Sequence, residues 1–221
     1  MRVLIAPDKF AGTLSAVQAA QAIAAGWARR SPDDVLDLAP MADGGPGFVD
    51  VLTASLGGEL LAVTVRGPLG TPVPATVLLR EGTAYVESAQ ACGLHLTGGG
   101  DAEKATSYGV GELLVAAVEA GAEKVVVGLG GSGTNDGGAG LLAALGATAD
   151  APLDQGVAAL SAVTTVDPTP ARKRLAGIVL VAATDVDNPL TGLFGATKTY
   201  GPQKGIPEDR LPAVDFRAPD V

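Results

Sequence analysis

The 221-residue sequence predicts an α/β fold: a mostly parallel sheet with flanking helices, plus a smaller sub-domain containing antiparallel strands. Three observations predict it. Short strand-like runs, mostly apolar (Val3–Ala6, Val35–Leu38, Lys124–Gly128, Ile178–Ala183), alternate with segments of 3.6-residue periodicity, as when strands of a parallel sheet are covered by helices. Glycine-rich loops follow several of these runs. Between Glu59 and Ala89 the period changes to two, which marks antiparallel strands inside an otherwise alternating chain.

Val3–Ala6 is closed by Pro7-Asp8. Ser15 with Gln18 forms a capping-box pattern, and Val17, Ala20, Ile23, Ala24 and Trp27 fall on one stripe, so a helix to Arg30 is expected, stopped by Ser31-Pro32, with Trp27 in the core. Val35–Leu38 is a strand, Ala42–Gly47 a second glycine loop, and Phe48–Leu56 a short helix ended by Gly57-Gly58. Leu61, Val63 and Val65 alternate with polar or small residues. Val73–Arg80 and Thr83–Val86 are extended around a tight Glu81-Gly82 turn. Lys104–Ala120 reads as a helix stopped by Gly121, and Asp136–Leu145 as another. Pro152–Arg174 is indecisive, and Ile206–Val221, with three prolines and four acids, reads as an irregular tail. The expected organisation is residues 1–58 as an N-terminal α/β part, 59–205 as a second α/β domain, and 206–221 as the tail.

Composition narrows the functions. With 47% hydrophobic residues the chain can bury a substantial core, and a net charge of −9 argues against nucleic-acid or anionic-membrane binding, which need a basic surface. One cysteine, Cys92, and one histidine, His95, exclude a disulfide framework and a Cys/His metal cluster. Cys92 reads as a small buried hydrophobe, and His95, between leucines, as structural or as part of a substrate wall near Glu87. The start Met1–Asp8 is too short for a signal-peptide core and no segment is suited to span a bilayer, so a cytoplasmic protein is expected.

The chemistry gathers in Gly128–Gly140, seven glycines in thirteen residues between a strand and a helix. Such a cluster suggests backbone amides presented to an anion. Asp8-Lys9, Asp43-Gly44-Gly45, Glu87, Ser132–Asp136 and Asp185–Asn188 also lie at strand ends, where α/β sheets bind ligands, and they are expected to converge on one cleft. Carboxylates for magnesium or a general base, lysines for phosphate charge and glycine amides for oxygens are the parts of phosphoryl transfer. A rival reading survives in the same loop. Gly128, Gly130 and Gly133 satisfy G-x-G-x-x-G, with Asp150 about twenty residues on, which would suit an NAD-dependent oxidoreductase. Against it, Gly146–Ala149 before Asp150 is a poor strand, and the fingerprint leaves Asn135–Gly138 without a role. A Walker P-loop fails, because no Lys followed by Ser or Thr closes the run.

Six motifs in order carry a more specific resemblance: Ala6–Phe10 with Gly12–Ser15, Ala42–Gly45, Thr106–Leu113, Gly130–Ser132 with Thr134–Gly138, Asp185–Leu190 and Gly201–Gly205. They resemble the successive motifs of the bacterial glycerate kinases. The resemblance implies a two-domain α/β fold, ATP with Mg2+, and D-glycerate as acceptor, usually at its 2-hydroxyl. Under it, Lys9 and Lys204 are candidates for phosphate or carboxylate charge. Ser132, Thr134 and neighbouring amides are candidates for phosphate oxygens, and Asp43, Asp136 and Asp185 for the hydroxyl proton or, for the last two, the metal. Asp8, Gly44, Gly45, Gly130, Gly131, Asn135 and Asn188 complete the expected binding set.

The sequence departs from the family pattern at Ala11, where Lys is common, at Pro46 in place of Glu, and at Phe48 in place of Thr. It also stops soon after Gly201–Gly205, where members continue with further motifs. A truncated chain is therefore expected, with impaired or no activity alone: a fragment, one half of an enzyme completed by a second chain, or a homologue that only binds.

Overall fold

A computed structural model describes residues 1–215 of the chain; residues 216–221, the end of the expected tail, lie outside the described residues. The elements are β1 (Arg2–Ile5), α1 (Ala16–Arg30), β2 (Val35–Leu38), α2 (Phe48–Leu56), β3 (Glu59–Arg66), β4 (Pro72–Arg80), β5 (Thr83–Glu87), α3 (Ala89–Cys92), α4 (Leu94–Thr97) and α5 (Tyr108–Glu119). They continue as β6 (Lys124–Gly128), α6 (Ala139–Ala144), β7 (Thr148–Ala149), α7 (Val157–Leu160), β8 (Val166–Asp167), α8 (Thr169–Arg174), β9 (Val179–Ala183), α9 (Ala196–Tyr200), a 3-10 turn Pro202–Lys204, and α10 (Leu211–Val214). The fold class is α/β.

The central sheet has the order β3-β4-β5-β6-β9. The pairs β3–β4 and β4–β5 are antiparallel, whereas β5–β6 and β6–β9 are parallel, so the antiparallel strands run into the parallel ones within one sheet. Glu81 and Gly82 both take positive φ (48° and 73°), which matches the right-handed twist of the β4–β5 hairpin they close. Val77, Val86, Val125, Leu113 and Leu145 form the centre of the core between this sheet and the helices α5 and α6. Gly111 lets these helices meet closely: a Cβ there would lie 2.6 Å from the Ala144 side chain and the Leu141 carbonyl. That contact fixes α6, and with it the glycine loop in front of it.

The N-terminal strands β1 and β2 pair in parallel as a separate two-stranded sheet. The capping box at Ser15 and Gln18 forms as read, and α1 ends at Ser31. Its apolar stripe is only half covered. Ala16, Ala19 and Ala20 are buried, but Ile23 and Trp27 stay 44% and 38% exposed, so Trp27 is not a core residue; its indole donates to Asp34 Oδ2 at 2.9 Å. A sheet of two strands is too narrow to cover the far half of a fifteen-residue helix. The edge strand β9 is likewise open, with Val179, Leu180 and Val181 36–57% exposed.

Two helices start later than their periodicity suggests. In α5 the first turn is displaced to Tyr108 because Thr106 and Ser107 donate their N–H groups elsewhere, to Pro68 O and to Asp136. In α6 the residues from Asp136 to Gly138 form the entry, not the helix. The stretch expected to be irregular carries α10, whose Leu211 and Val214 pack with Ile206, Ala102 and Val157 in a small second core. Among the described residues, no helix is long and apolar enough to cross a membrane.

Candidate active site

Asp8-Lys9 follows β1, and the second glycine loop follows β2, so parallel pairing of these strands sets the two loops side by side. Lys9 Nζ lies 3.0 Å from both carboxylate oxygens of Asp43 and 3.7 Å from Asp8 Oδ1. Burial alone would lower the Lys9 ammonium, but the hydrogen bond and charge of Asp43, with Asp8, outweigh it and hold it above its ordinary value. Burial would likewise raise Asp43, yet Lys9 and the Gly45 N–H, which donates at 2.8 Å, keep it below the ordinary carboxylate range. The pair is thus ionised on both sides and fixed in orientation.

The two glycine loops lock together backbone to backbone. Gly130 N–H donates to Gly44 O at 3.0 Å, and Leu129 N–H donates to Ala183 O at the end of β9 at 2.9 Å. A Cβ on Gly130 would stand 2.5 Å from Gly45 Cα and N, and one on Gly128 would stand 2.5 Å from Gly44 O and 2.9 Å from the Phe48 ring. Gly133 donates to Cys92 O, and Gly131 O accepts from Leu94 N–H. The three glycines of the G-x-G-x-x-G pattern are therefore spent on internal packing, which removes the reason for reading them as a dinucleotide cradle. Pro46 rests against Gly131 in the same seam. Amides further along remain open: among the described residues, the N–H groups of Gly131, Ser132 and Gly137 have no acceptor.

Asp136 is placed differently from the expectation. It is 2% exposed, and its Oδ2 accepts from Ser107 N–H at 2.7 Å, Ser107 Oγ–H at 2.8 Å and Gly140 N–H at 3.2 Å, while Oδ1 accepts from Gly138 N–H at 3.3 Å. Four protein donors engage its two oxygens, three at Oδ2 and one at Oδ1, so the carboxylate ties the starts of α5 and α6 together. Asn135 is also buried, donating to Thr197 Oγ1 at 3.1 Å and to Val214 O at 3.4 Å, and so anchors α9 and α10 to the loop.

Lys204 completes this side. Its Nζ donates to Thr134 O at 2.6 Å and to Ser132 Oγ at 3.2 Å, and among the described residues no carboxylate lies within ion-pair distance. Burial pushes its ammonium below the ordinary value, with Asp136 acting the other way. It faces a cavity of about 230 Å³ lined also by Ser88, Cys92, Ser132, Thr134 and Leu129. Cys92 is the small buried hydrophobe expected, its thiol pushed up to about 12 by burial and the Asp136 charge. A wider cavity of about 500 Å³ lies on the other side of the glycine seam, lined by Lys9, Phe10, Thr13, Met41, Pro46 and His95.

The loops bearing Lys9, Asp43, Gly44 and Gly45 and the Gly128–Asp136 loop are joined by the contacts above. Glu87 joins them from β5, accepting Gly47 N–H at 3.1 Å and Val49 N–H at 3.3 Å at the start of α2. Burial raises Glu87 above the ordinary carboxylate range, against those two donors. Asp185 and Asp187 are exposed on the loop after β9, and Asn188 turns away to accept from Tyr200 Oη at 2.6 Å. Ser88 escapes sequence reading because an isolated serine carries no pattern, and Ser107, though it lies in the Thr106–Leu113 motif, is set beside Asp136 only by the fold.

Among the described residues no three His, Cys, Asp or Glu side chains are grouped to hold a metal. Mg2+ with a nucleotide commonly needs only one or two carboxylates, the rest being phosphates and water. Asp185, exposed on the loop after β9, offers one such carboxylate, while Asp136 is buried and already accepts four hydrogen bonds from the protein.

The family model of the glycerate kinase family matches residues 3–218. The chain belongs to the glycerate kinase family. It is 43% identical to glycerate kinase of Bacillus subtilis (strain 168) and 41% identical to glycerate 2-kinase of Escherichia coli (strain K12), in each case over 97% of this chain and 58% of the relative. The crystal structure of a glycerate kinase 2 from Salmonella typhimurium LT2 superposes with a TM-score of 0.82 at 39% identity, over 97% of this chain and 60% of that one. The chain thus spans less than two-thirds of the length of these relatives.

Proposed function

We propose that this chain carries the substrate loops of an ATP-dependent D-glycerate kinase that transfers the γ-phosphoryl group to the 2-hydroxyl, giving 2-phosphoglycerate. The observation that carries the reading is the seam between the Asp43 and Gly130 loops. On one side it holds a fixed Lys9–Asp43 pair, and on the other a lysine without a carboxylate partner beside open amides. Phosphoryl transfer passes through a loose transition state, so what it asks of a protein is positioning and charge neutralisation. Lys9, Lys204 and the Ser132 and Gly137 amides supply positive ends. Asp43, ionised and held by Lys9, receives the hydroxyl proton. Mg2+, held by Asp185 with the nucleotide, would draw charge from the phosphate oxygens.

We propose further that residues 1–58 and 59–205 act as the two parts of the cleft. Turnover by the 221-residue chain alone is weak, because apolar surface on α1 and β9 stays uncovered; a second polypeptide covering it is the partner this predicts. A binding-only role is the second reading, favoured by that same exposed surface. Incubation with ATP, Mg2+ and D-glycerate, with the product resolved by phosphorus NMR, tests the proposal. A glycerate-dependent 2-phosphoglycerate signal that Asp43→Asn abolishes supports it. Binding of both substrates with no product favours the binding-only role, and fast turnover by the isolated chain contradicts the weak-activity expectation.

A further inference from the structure

Glu87 is a buried carboxylate that the chemistry proposed above does not use. It ends β5, level with Gly128 of β6, and is 5% exposed. Helix α2 is entered at Gly47, which has no side chain to cap it, so the first N–H groups of the helix need an acceptor from elsewhere. Glu87 Oε2 is that acceptor, taking Gly47 N–H at 3.1 Å and Val49 N–H at 3.3 Å. Among the described residues, no other side chain hydrogen-bonds between residues 1–58 and the remainder of the chain.

The connection runs on to the Lys9–Asp43 pair. Phe48 N–H donates to Gly45 O at 3.1 Å, and Gly45 N–H donates to Asp43 Oδ1 at 2.8 Å, so the start of α2 and the Asp43 carboxylate are braced through one short piece of backbone. On its own side Glu87 is held by the pairing of β5 with β6, and the next residue, Ser88, donates its N–H to Gly128 O at 3.1 Å. Gln90 lies beside it, fixed in turn by Thr76 N–H on its Oε1 at 2.7 Å. A cap from a side chain of the loop itself would serve the helix without burying a carboxylate; what the remote cap adds is a fixed relation between the Asp43 loop and the Gly128 loop. Transfer chemistry depends on such relations, since misplacing a reacting group by about 1 Å costs on the order of a hundredfold.

We propose that Glu87 is a positioning residue: by capping α2 from β5 it sets the Asp43 carboxylate, and Lys9 with it, against the Gly128–Asp136 loop. It acts through Gly45 and Asp43 rather than on the reacting atoms. Its bearing on transfer rests on the kinase reading above; the placement of Asp43 does not.

Carbon-13 NMR titration of the Asp43 carboxyl in the 221-residue chain tests it, with Glu87→Gln, Glu87→Asp and Glu87→Ala beside the wild type. Gln keeps the reach of the acceptor and loses the charge, whereas Asp keeps the charge and is one methylene short. The expected Asp43 midpoint stays within about 0.2 pH units of wild type in E87Q and rises by about half a pH unit or more in E87D and E87A, as Lys9 and Gly45 lose their fixed geometry and the carboxyl returns towards its ordinary value. Val77→Ala, a truncation in the core beneath α5, controls for loss of stability and should leave the midpoint in place. Circular dichroism verifies folding, and E87D, the gentler change, carries the test if E87A does not fold. An unmoved midpoint in E87D overturns the proposal. So does a rise of equal size in V77A, which would make the effect one of general stability, or a shift confined to E87Q, which would make it one of charge. No substrate enters the titration, so these outcomes stand apart from the kinase reading, which absence of product in the phosphorus NMR assay would sink on its own.

Discussion

Truncation of Asp136 measures how much of the glycine loop is held by one carboxylate. In Asp136→Ala, four donors lose their acceptor: Ser107 N–H, Ser107 Oγ–H, Gly138 N–H and Gly140 N–H. A buried donor left unsatisfied costs about 1–3 kcal/mol. The site is 2% exposed, but a water entering the space would recover part of the loss, so the expected destabilisation is about 3–5 kcal/mol rather than the full sum. Against a total of roughly 5–15 kcal/mol this is a large fraction. Asp136→Asn should be much milder. With its carbonyl oxygen at the Oδ2 position it keeps three of the four donors and sets its amide only against Gly138 N–H, a loss of about 1–2 kcal/mol. Urea unfolding followed by circular dichroism at neutral pH reads both variants. A loss below about 1 kcal/mol in D136A would refute the anchoring role. Equal damage from D136N and D136A would refute it differently, by showing that the negative charge itself, and so a cation, is what the position serves.

Other perturbations probe the neighbouring contacts. In Gly130→Ala the new Cβ would stand 2.5 Å from Gly45 Cα and N, so the loops must separate, at about 1–3 kcal/mol of overpacking; an unchanged melting temperature would show the loop seam to be loose. Glu87 has its carboxyl raised by burial above the ordinary glutamate value of 4.5, so the folded state holds its proton longer than the unfolded chain does. Its contribution to stability is therefore full below 4.5 and declines as pH rises through the raised value, and Glu87→Gln should flatten that part of the stability–pH curve; parallel curves for wild type and variant would contradict it. Cys92, buried and with its thiol pushed up to about 12, should resist a thiol reagent at neutral pH until the chain unfolds. Rapid labelling of the native protein would mean that the Lys204 cavity opens readily.

Much of the fold is legible because its signals are local. Ser15 and Gln18 cap α1, Gly121 takes φ 88° at the end of α5, and Glu81-Gly82 close a hairpin, each through chemistry confined to a few residues. Residue periodicity fails where a tertiary bond outbids it. Ser107 and Asp136 delay the starts of α5 and α6 by bonding to each other across 29 positions, which no window can see. Trp27 fails for another reason: a stripe shows which face of a helix would be buried but not whether the sheet beneath is wide enough to bury it. The site divides likewise. Glycine density marks Gly128–Gly140 as special, yet whether those amides face a ligand or another loop depends on Gly44 and Gly45, more than eighty residues away. Lys9 with Asp43, and Lys204 with Ser132, are named separately by motif and joined only by the fold. Ser88, a lone serine, has no signal in the sequence at all.

The most direct test of the central claim is an equilibrium titration of the 221-residue chain, first with Mg·ATP and then with D-glycerate. Saturable binding of one equivalent of each is the predicted result. Silence toward both, or saturable binding of NADH in place of ATP, would contradict the assignment of these loops to phosphoryl transfer.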